Sequence, residues 1–141
     1  MAAGSVYPVV WTMSKPGHRK FGLYAHITWH TYRRERSIRQ EDVSAVTQSI
    51  TAAAARNSVH VLAQAVVADH VHVLVSFRPD RPLMPFIRDA KSESARAVKR
   101  LGGRLAWARG YYVGSLSHGH IPAARTYIAG QRERHADRVP A

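Results

Sequence analysis

The chain has 141 residues, 45% of them hydrophobic, no cysteine, and a formal net charge of +12. One compact domain with a real core is expected at this size, and neither a disulfide framework nor a thiolate metal site can be built. Nothing reads as a signal peptide and no apolar run approaches membrane-spanning length, so a cytoplasmic location with no membrane partner is expected.

Residues 1–20 carry no clear periodicity and include Pro8, Pro16 and Gly17, which predicts an irregular lead-in. Met13 offers a second start site, so translation from either Met1 or Met13 is consistent with the sequence. From Gly22 to His30 the residues alternate: Leu23, Ala25, Ile27 and Trp29 on one face, Tyr24, His26, Thr28 and His30 on the other. That is the pattern of a half-buried strand. After a charged connection, Val43, Val46, Ile50 and Ala53 recur at helical spacing, predicting a helix over 40–57. Val59–Ala68 reads as a second strand and His70–Phe77 as a third, joined by a tight turn or bulge.

Arg78-Pro79-Asp80-Arg81-Pro82 breaks the chain, and Pro85 suits a helix start. Phe86, Ile87, Ala90, Ser94, Val98 and Leu101 form that helix's apolar stripe, and Gly102-Gly103 ends it. Leu105–Ser115 reads as an aromatic-rich strand, and a last helix runs from near Pro122 to about Arg134. The domain is expected over residues 21–135, with a polar tail over 136–141. The order is α+β: a ferredoxin-like β-α-β-β-α-β antiparallel sheet with an added C-terminal helix. That fold hosts many functions and does not decide between them.

The charge narrows the choice. There are 21 Lys plus Arg against 9 Asp plus Glu, and 17 of the basic residues are Arg. A guanidinium grips phosphate in a fork and stacks on bases, so a polyanion, most simply nucleic acid, is the expected partner.

His70-Val71-His72 is the sharpest local feature. On a strand, alternate side chains share a face, so the two imidazoles point one way and Val71, Val73 and Val75 the other. One face can join a core while the other offers two nitrogen ligands to one metal ion. Two histidines hydrogen-bonded to neighbours are the plain alternative. His118-Gly119-His120 repeats the spacing, but around a glycine in a Ser/Gly loop, where nothing fixes the rings.

Two histidines do not complete a metal shell. On the last helix, Tyr127 and Gln131 are four residues apart and differ by about 40° around the axis. The stripe Ile121, Ala124 and Ile128 lies beside them and could dock the helix on the sheet, aiming both at the histidines. An amide oxygen with two imidazoles suits Mg²⁺ or Mn²⁺ rather than structural zinc. For Tyr127 alone, a packing role at a helix edge is the simpler reading. Arg33 and Arg34, Lys91, Arg125 and Arg132 are candidates to hold a phosphate backbone, and Trp107, Tyr111 and Tyr112 to stack on unpaired bases.

Taken together, Tyr24-Ala-His-Ile-Thr-Trp29, Asp69-His-Val-His-Val-Leu-Val75, Phe86-Ile-Arg-Asp-Ala-Lys91, Trp107-Ala-Arg-Gly-Tyr111 and Tyr127-Ile-Ala-Gly-Gln131 resemble the single-tyrosine HUH transposases of the insertion-sequence 200/605 group. The landmarks cover about residues 22–132. The resemblance implies a metal-dependent transposase acting on single-stranded DNA, with hairpin ends of a mobile element as partner. It implies His70, His72 and Gln131 as metal ligands and Tyr127 as nucleophile. It also implies a homodimer, in which the tyrosine helix of one subunit can serve the other. A free phenol is a weak nucleophile at neutral pH, and a divalent ion on the scissile phosphate would assist its attack. A hydrolytic two-metal nuclease would want several carboxylates, and Asp69 alone adjoins the histidines.

Three other readings remain open on sequence grounds. A domesticated relative would use the same chemistry on repeated palindromes. A non-catalytic nucleic-acid-binding module would explain the charge but leave His70, His72, Tyr127 and Gln131 as coincidence. A small metal-binding or ligand-sensing dimer would explain the histidines but not the charge.

Overall fold

The structure, a computed structural model, describes Val6–Pro8 and residues 22–141. Strands β1 (Val6–Pro8), β2 (Leu23–His30), β3 (His60–Val66), β4 (His70–Phe77) and β5 (Tyr112–Leu116) form one sheet in the order β1-β3-β4-β2-β5. Every neighbouring pair is antiparallel. Helices α1 (Val43–Arg56) and α2 (Met84–Arg100) make the crossovers β2-α1-β3 and β4-α2-β5. This is the expected ferredoxin-like unit, followed by α3 (Ile121–Ala129) and α4 (Gln131–Arg134). β1 lies within the lead-in expected to be irregular and adds an edge strand, pairing Val6 with Ala65 and Pro8 with Ala63. The rest of that lead-in falls outside the described residues.

β4 has two apolar requirements, one on each face. Val71, Val73 and Val75 join Ala25, Ile27 and Trp29 of β2 in the main core, covered by Val46 and Ile50 of α1 and Phe86, Ile87 and Val98 of α2. The buried α1 residues Val43, Val46, Thr47, Ile50, Ala53 and Ala54 keep the i, i+3, i+4, i+7 spacing that makes a helix one-sided. Leu101, expected in the α2 stripe, is instead exposed beyond the helix end. Gly103 follows where a side chain cannot fit: a Cβ there would meet the Arg39 Nη2 and Val98 Cγ1 at 2.7 Å each. That approach lets Arg39 fork the buried Asp42 carboxylate at the start of α1, with Nε–Oδ2 at 2.9 Å and Nη2–Oδ1 at 2.8 Å.

On the opposite face Tyr24, Leu62, Ala63, Ala65 and Leu74 pack against Ile121 and Ile128 of α3. A bulge between Val61 and Ala63 sends the consecutive Leu62 and Ala63 into this smaller cluster while Val61 stays in the main one. The stripe Ile121, Ala124 and Ile128 thus docks the last helix as expected.

Three expectations are corrected. The Leu105–Ser115 segment is a strand only from Tyr112 onward. Trp107 makes an isolated bridge to Thr31 and turns its ring edge-on to Trp29 at 6.0 Å, donating Nε1–H to Ser94. It is therefore a packing residue, while Tyr111 and Tyr112 are exposed. The last helix is broken at Gly130 into α3 and α4. The segment 136–141, expected as a polar tail, is docked: the Arg138 carbonyl accepts from Ala68 N at 2.5 Å, the Ala141 carbonyl accepts from Gln40 N at 2.5 Å, and Pro140 is buried.

Because α3 is held by so few apolar side chains, Ile128→Ala should cost about 2–5 kcal/mol and act locally. Denaturant unfolding with hydrogen exchange checks this: α3 amides should lose protection before those of α1 and α2, and an equal loss in all helices would contradict it.

Candidate active site

The antiparallel register of β2 and β4 sets Thr28 opposite His72 and His30 opposite His70. Both strands alternate in phase, so the face carrying His70 and His72 also carries His26, Thr28 and His30. His26 Nε2 shares a hydrogen bond with His72 Nδ1 at 2.8 Å, and Thr28 Oγ1 lies 3.3 Å from the same nitrogen. His70 Nδ1 is bonded to Asp69 Oδ1 at 2.7 Å. In each histidine of the pair, Nδ1 is thereby engaged with the protein and Nε2 is left for another partner.

The C-terminal elements close over this face. The Tyr127 ring meets the rings of His26 at 5.8 Å and His72 at 5.7 Å, edge-on in both cases. The His135 ring meets His70 edge-on at 5.3 Å. Gln131 sits one turn from each of these contacts and is fully buried. Its Nε2 donates to the Tyr127 carbonyl at 3.2 Å. Its Oε1, like His72 Nε2, is buried with no protein partner. Tyr127 itself is 37% exposed, with the Arg134 guanidinium 4.6 Å from its ring centroid.

Burial governs the titration of the cluster. His72 is pushed down to about 2, first by desolvation and then by the neighbouring imidazoles His70, His26, His135 and His30. Desolvation also lowers His26, His30 and His70; for His70 the Asp69 carboxylate opposes it. The pair is thus held as neutral imidazole, the form that coordinates a cation.

These residues fit a metal ion. Two orphaned buried atoms, an imidazole nitrogen and an amide oxygen, belong to two of the three expected ligands, and a buried polar atom without a partner costs about 1–3 kcal/mol. Among the described residues no three His, Cys, Asp or Glu side chains come together as a metal site, so a three-residue shell here needs the Gln131 amide.

The expected backbone-holding cations are spread over the fold. Arg33 and Arg34 follow β2 directly, both exposed and both with φ of 55°. Arg125 lies on α3, half-buried, two residues before Tyr127. Lys91 is elsewhere: it sits on α2, across the sheet, and its Nζ donates to the Ala108 and Gly110 carbonyls at 3.0 and 2.7 Å. Arg132 ties α4 to the Gln40 side chain at 2.8 Å. Both are bound into the fold before any strand of nucleic acid arrives. His118-Gly119-His120 forms a surface turn leading into α3 and does not join the cluster of β2 and β4 histidines.

The sequence reading missed His26, Thr28, His30, Arg134, His135 and Arg138 as members or neighbours of the site. For the three on β2 the signal was present, since their alternation placed them on one face. What was missing was the pairing of β2 with β4.

Solved proteins share this architecture. A crystal structure of a protein described as a transposase from Deinococcus radiodurans R1 superposes with a TM-score of 0.63 at 24% identity, covering 84% of this chain and 98% of that one. A REP-associated tyrosine transposase bound to a REP hairpin superposes at 0.64 with 14% identity, covering 89% and 74%. The likeness in both cases is one of fold. In sequence, the ISDra2 transposase TnpA of Deinococcus radiodurans is 25% identical over 122 residues, spanning 81% of this chain and 87% of the relative. The family model described as "Transposase IS200 like" matches residues 19–131. The chain belongs to the IS200-like transposase family, and so to a family of DNA-processing enzymes. Among the described residues no helix is long and apolar enough to cross a membrane.

The buried neutral histidines make stability depend on pH. An unfolded His72 takes up a proton near the ordinary imidazole value, whereas the folded one does so only near 2. The unfolded state therefore binds more protons throughout that window, and stability falls as pH drops below about 6.5. His26, His30 and His70 act in the same direction. In chelator-treated protein, urea unfolding should show a loss approaching about 1.4 kcal/mol per pH unit from His72 below its unfolded pKa. His72→Gln should flatten that slope; an unaltered slope would refute the assignment.

Proposed function

We propose that this chain cleaves and rejoins single-stranded DNA through a covalent 5′-phosphotyrosine on Tyr127, with a divalent ion, Mg²⁺ or Mn²⁺, held by His70, His72 and Gln131. The observation that carries the reading is the pair of orphaned buried atoms, His72 Nε2 and Gln131 Oε1, beside a partly exposed tyrosine. When bound, the ion would supply Lewis-acid charge at the scissile phosphate.

The chain's own residues account for the rest. His26 and Thr28 engage His72 at Nδ1, and Asp69 engages His70 at Nδ1. Both rings are therefore oriented before a ligand arrives, which is what a site needs to act without reorganisation. The Tyr127 hydroxyl attacks phosphorus, a new P–O bond to the phenolic oxygen forms, and the bond to the 3′ oxygen breaks. The phenol gives up one proton and the departing 3′ oxygen gains one, so none is consumed overall. The phosphotyrosine keeps the energy of the broken diester, and a 3′ hydroxyl reverses the step by displacing the phenol. No nucleotide cofactor is required.

Arg134 over the Tyr127 ring places a cation beside the nucleophile, and Arg33, Arg34 and Arg125 supply others for the flanking backbone. The net charge of +12 favours approach of a polyanion to the whole surface. The reading includes a homodimer. In this single chain the Tyr127 ring meets His72 of the same subunit edge-on at 5.7 Å, and in the proposed dimer the tyrosine helix of one subunit can serve the other. The substrate proposed is single-stranded DNA that carries hairpins, as found at the ends of a mobile element.

Incubating purified protein with Mn²⁺ or Mg²⁺ and labelled single-stranded DNA from the flanks of its own gene tests this on a denaturing gel. Label should move to protein mass, and both chelator and Tyr127→Phe should abolish the adduct while leaving DNA binding intact. An adduct that survives Tyr127→Phe would remove Tyr127 from the chemistry. Retained binding with no adduct on any flank would favour a non-catalytic DNA-binding role.

A further inference from the structure

We propose that the docked C-terminal segment completes the histidine site, with Arg138 acting through Asp69 to fix the ring of His70. Arg138 is then a positioning residue for a metal ligand. The inference rests on the proposed role of His70 as a ligand.

Asp69 is 2% exposed, on the turn that leads into β4. Its backbone is fixed by Thr31, whose N–H donates to the Asp69 carbonyl at 2.9 Å while its hydroxyl donates to the Glu35 carbonyl at 2.7 Å. One carboxylate oxygen holds His70 Nδ1 at 2.7 Å. A carboxylate there accepts, so Nδ1 carries the proton and the lone pair of His70 lies on Nε2. Metal-binding histidines commonly pass their second N–H to a carboxylate in this way.

A carboxylate taken out of water is held in place by a nearby counter-charge. The other oxygen meets one: Arg138 Nε stands 3.6 Å from Oδ2. Arg138 reaches that point because the chain after α4 is docked. Its own carbonyl accepts from Ala68 N, next to Asp69, and the Ala141 carbonyl accepts from Gln40 N. Arg36 holds Asp137 at 3.4 Å. His135, at the head of the segment, lies edge-on against the His70 ring. Two residues beyond Gln131 thus bear on this ligand, His135 on the His70 ring and Arg138 on its carboxylate.

The experiment uses the full chain, stripped of metal, as wild type, Arg138→Ala, Arg138→Lys and Arg36→Ala. Mn²⁺ affinity is measured by calorimetry, and the His70 Nδ1–H resonance is followed by NMR. Arg138→Ala should weaken Mn²⁺ binding about tenfold, the lower end of what loss of such an outer partner costs, and should broaden the His70 Nδ1–H signal. Arg138→Lys should restore part of both. Arg36→Ala loosens the same segment at its exposed ion pair and should weaken Mn²⁺ binding less than Arg138→Ala does, since Arg138 itself is kept. Wild-type binding of Mn²⁺ with unchanged affinity in Arg138→Ala overturns the relay alone. Equal weakening in Arg36→Ala also overturns it, since docking of the segment would then be the whole effect. A wild type that binds no Mn²⁺ overturns the metal reading itself, and the relay with it.

Discussion

The pairing of β2 with β4 is the constraint on which the rest depends. β4 is buried on both faces, with valines toward α1 and α2 and histidines toward α3. Side chains alternate with a period of two, so a slip of one residue would turn the histidines into the main core and the valines out of it. Burying Val71, Val73 and Val75 therefore fixes the register that brings Thr28 opposite His72 and His30 opposite His70. Hydrophobic packing on one side of the sheet positions the polar chemistry on the other. The site itself contributes none of that packing.

The site it positions leaves two buried polar atoms without a protein partner. His72 Nε2 and Gln131 Oε1 have left water without gaining a protein partner, at about 1–3 kcal/mol for each such atom. Desolvation and mutual repulsion keep His72 neutral, and Asp69 with Arg138 brings the negative charge nearest His70. In a protein of +12, a cluster of protonated histidines would add repulsion, whereas neutral ones add donors for a cation. A cation bound there would satisfy the orphaned atoms, and the surrounding arginines favour an anionic strand.

Much of this was legible in the sequence, for reasons that differ by residue. The β4 span was readable to the residue because His-Val-His-Val alternates in polarity and the β-branched valines continue at every second position. The position of Tyr127 and Gln131 relative to the histidines was readable because an apolar stripe ran beside them on a helix. Three things were not. β1 carries too few residues for any period to show. Trp107 reads as a strand aromatic until the Ser94 hydroxyl and Trp29 are placed beside it. The segment 136–141 has almost no apolar pattern, since backbone carbonyls and ion pairs hold it, and those leave no mark on hydropathy. Lys91 and Arg132 show the same limit from the other side. The carbonyl partners of Lys91 and the amide partner of Arg132 leave no mark on the sequence.

The break at Gly130 resolves a conflict between the two residues it separates. In the roles proposed for them, a nucleophile must stand where a strand of nucleic acid can reach it, and a neutral amide ligand works best where water cannot compete. On one straight helix, residues four apart face nearly the same way, so both demands would fall on one surface. Here α3 ends at Ala129 and a new turn starts at Gln131. Tyr127 stays 37% exposed while Gln131 is completely buried. The two turns are also anchored separately. Ile121 and Ile128 hold α3 to the sheet through apolar contact. Arg132 to Gln40 and Arg138 to Asp69 hold α4 and the C-terminal segment through polar contact.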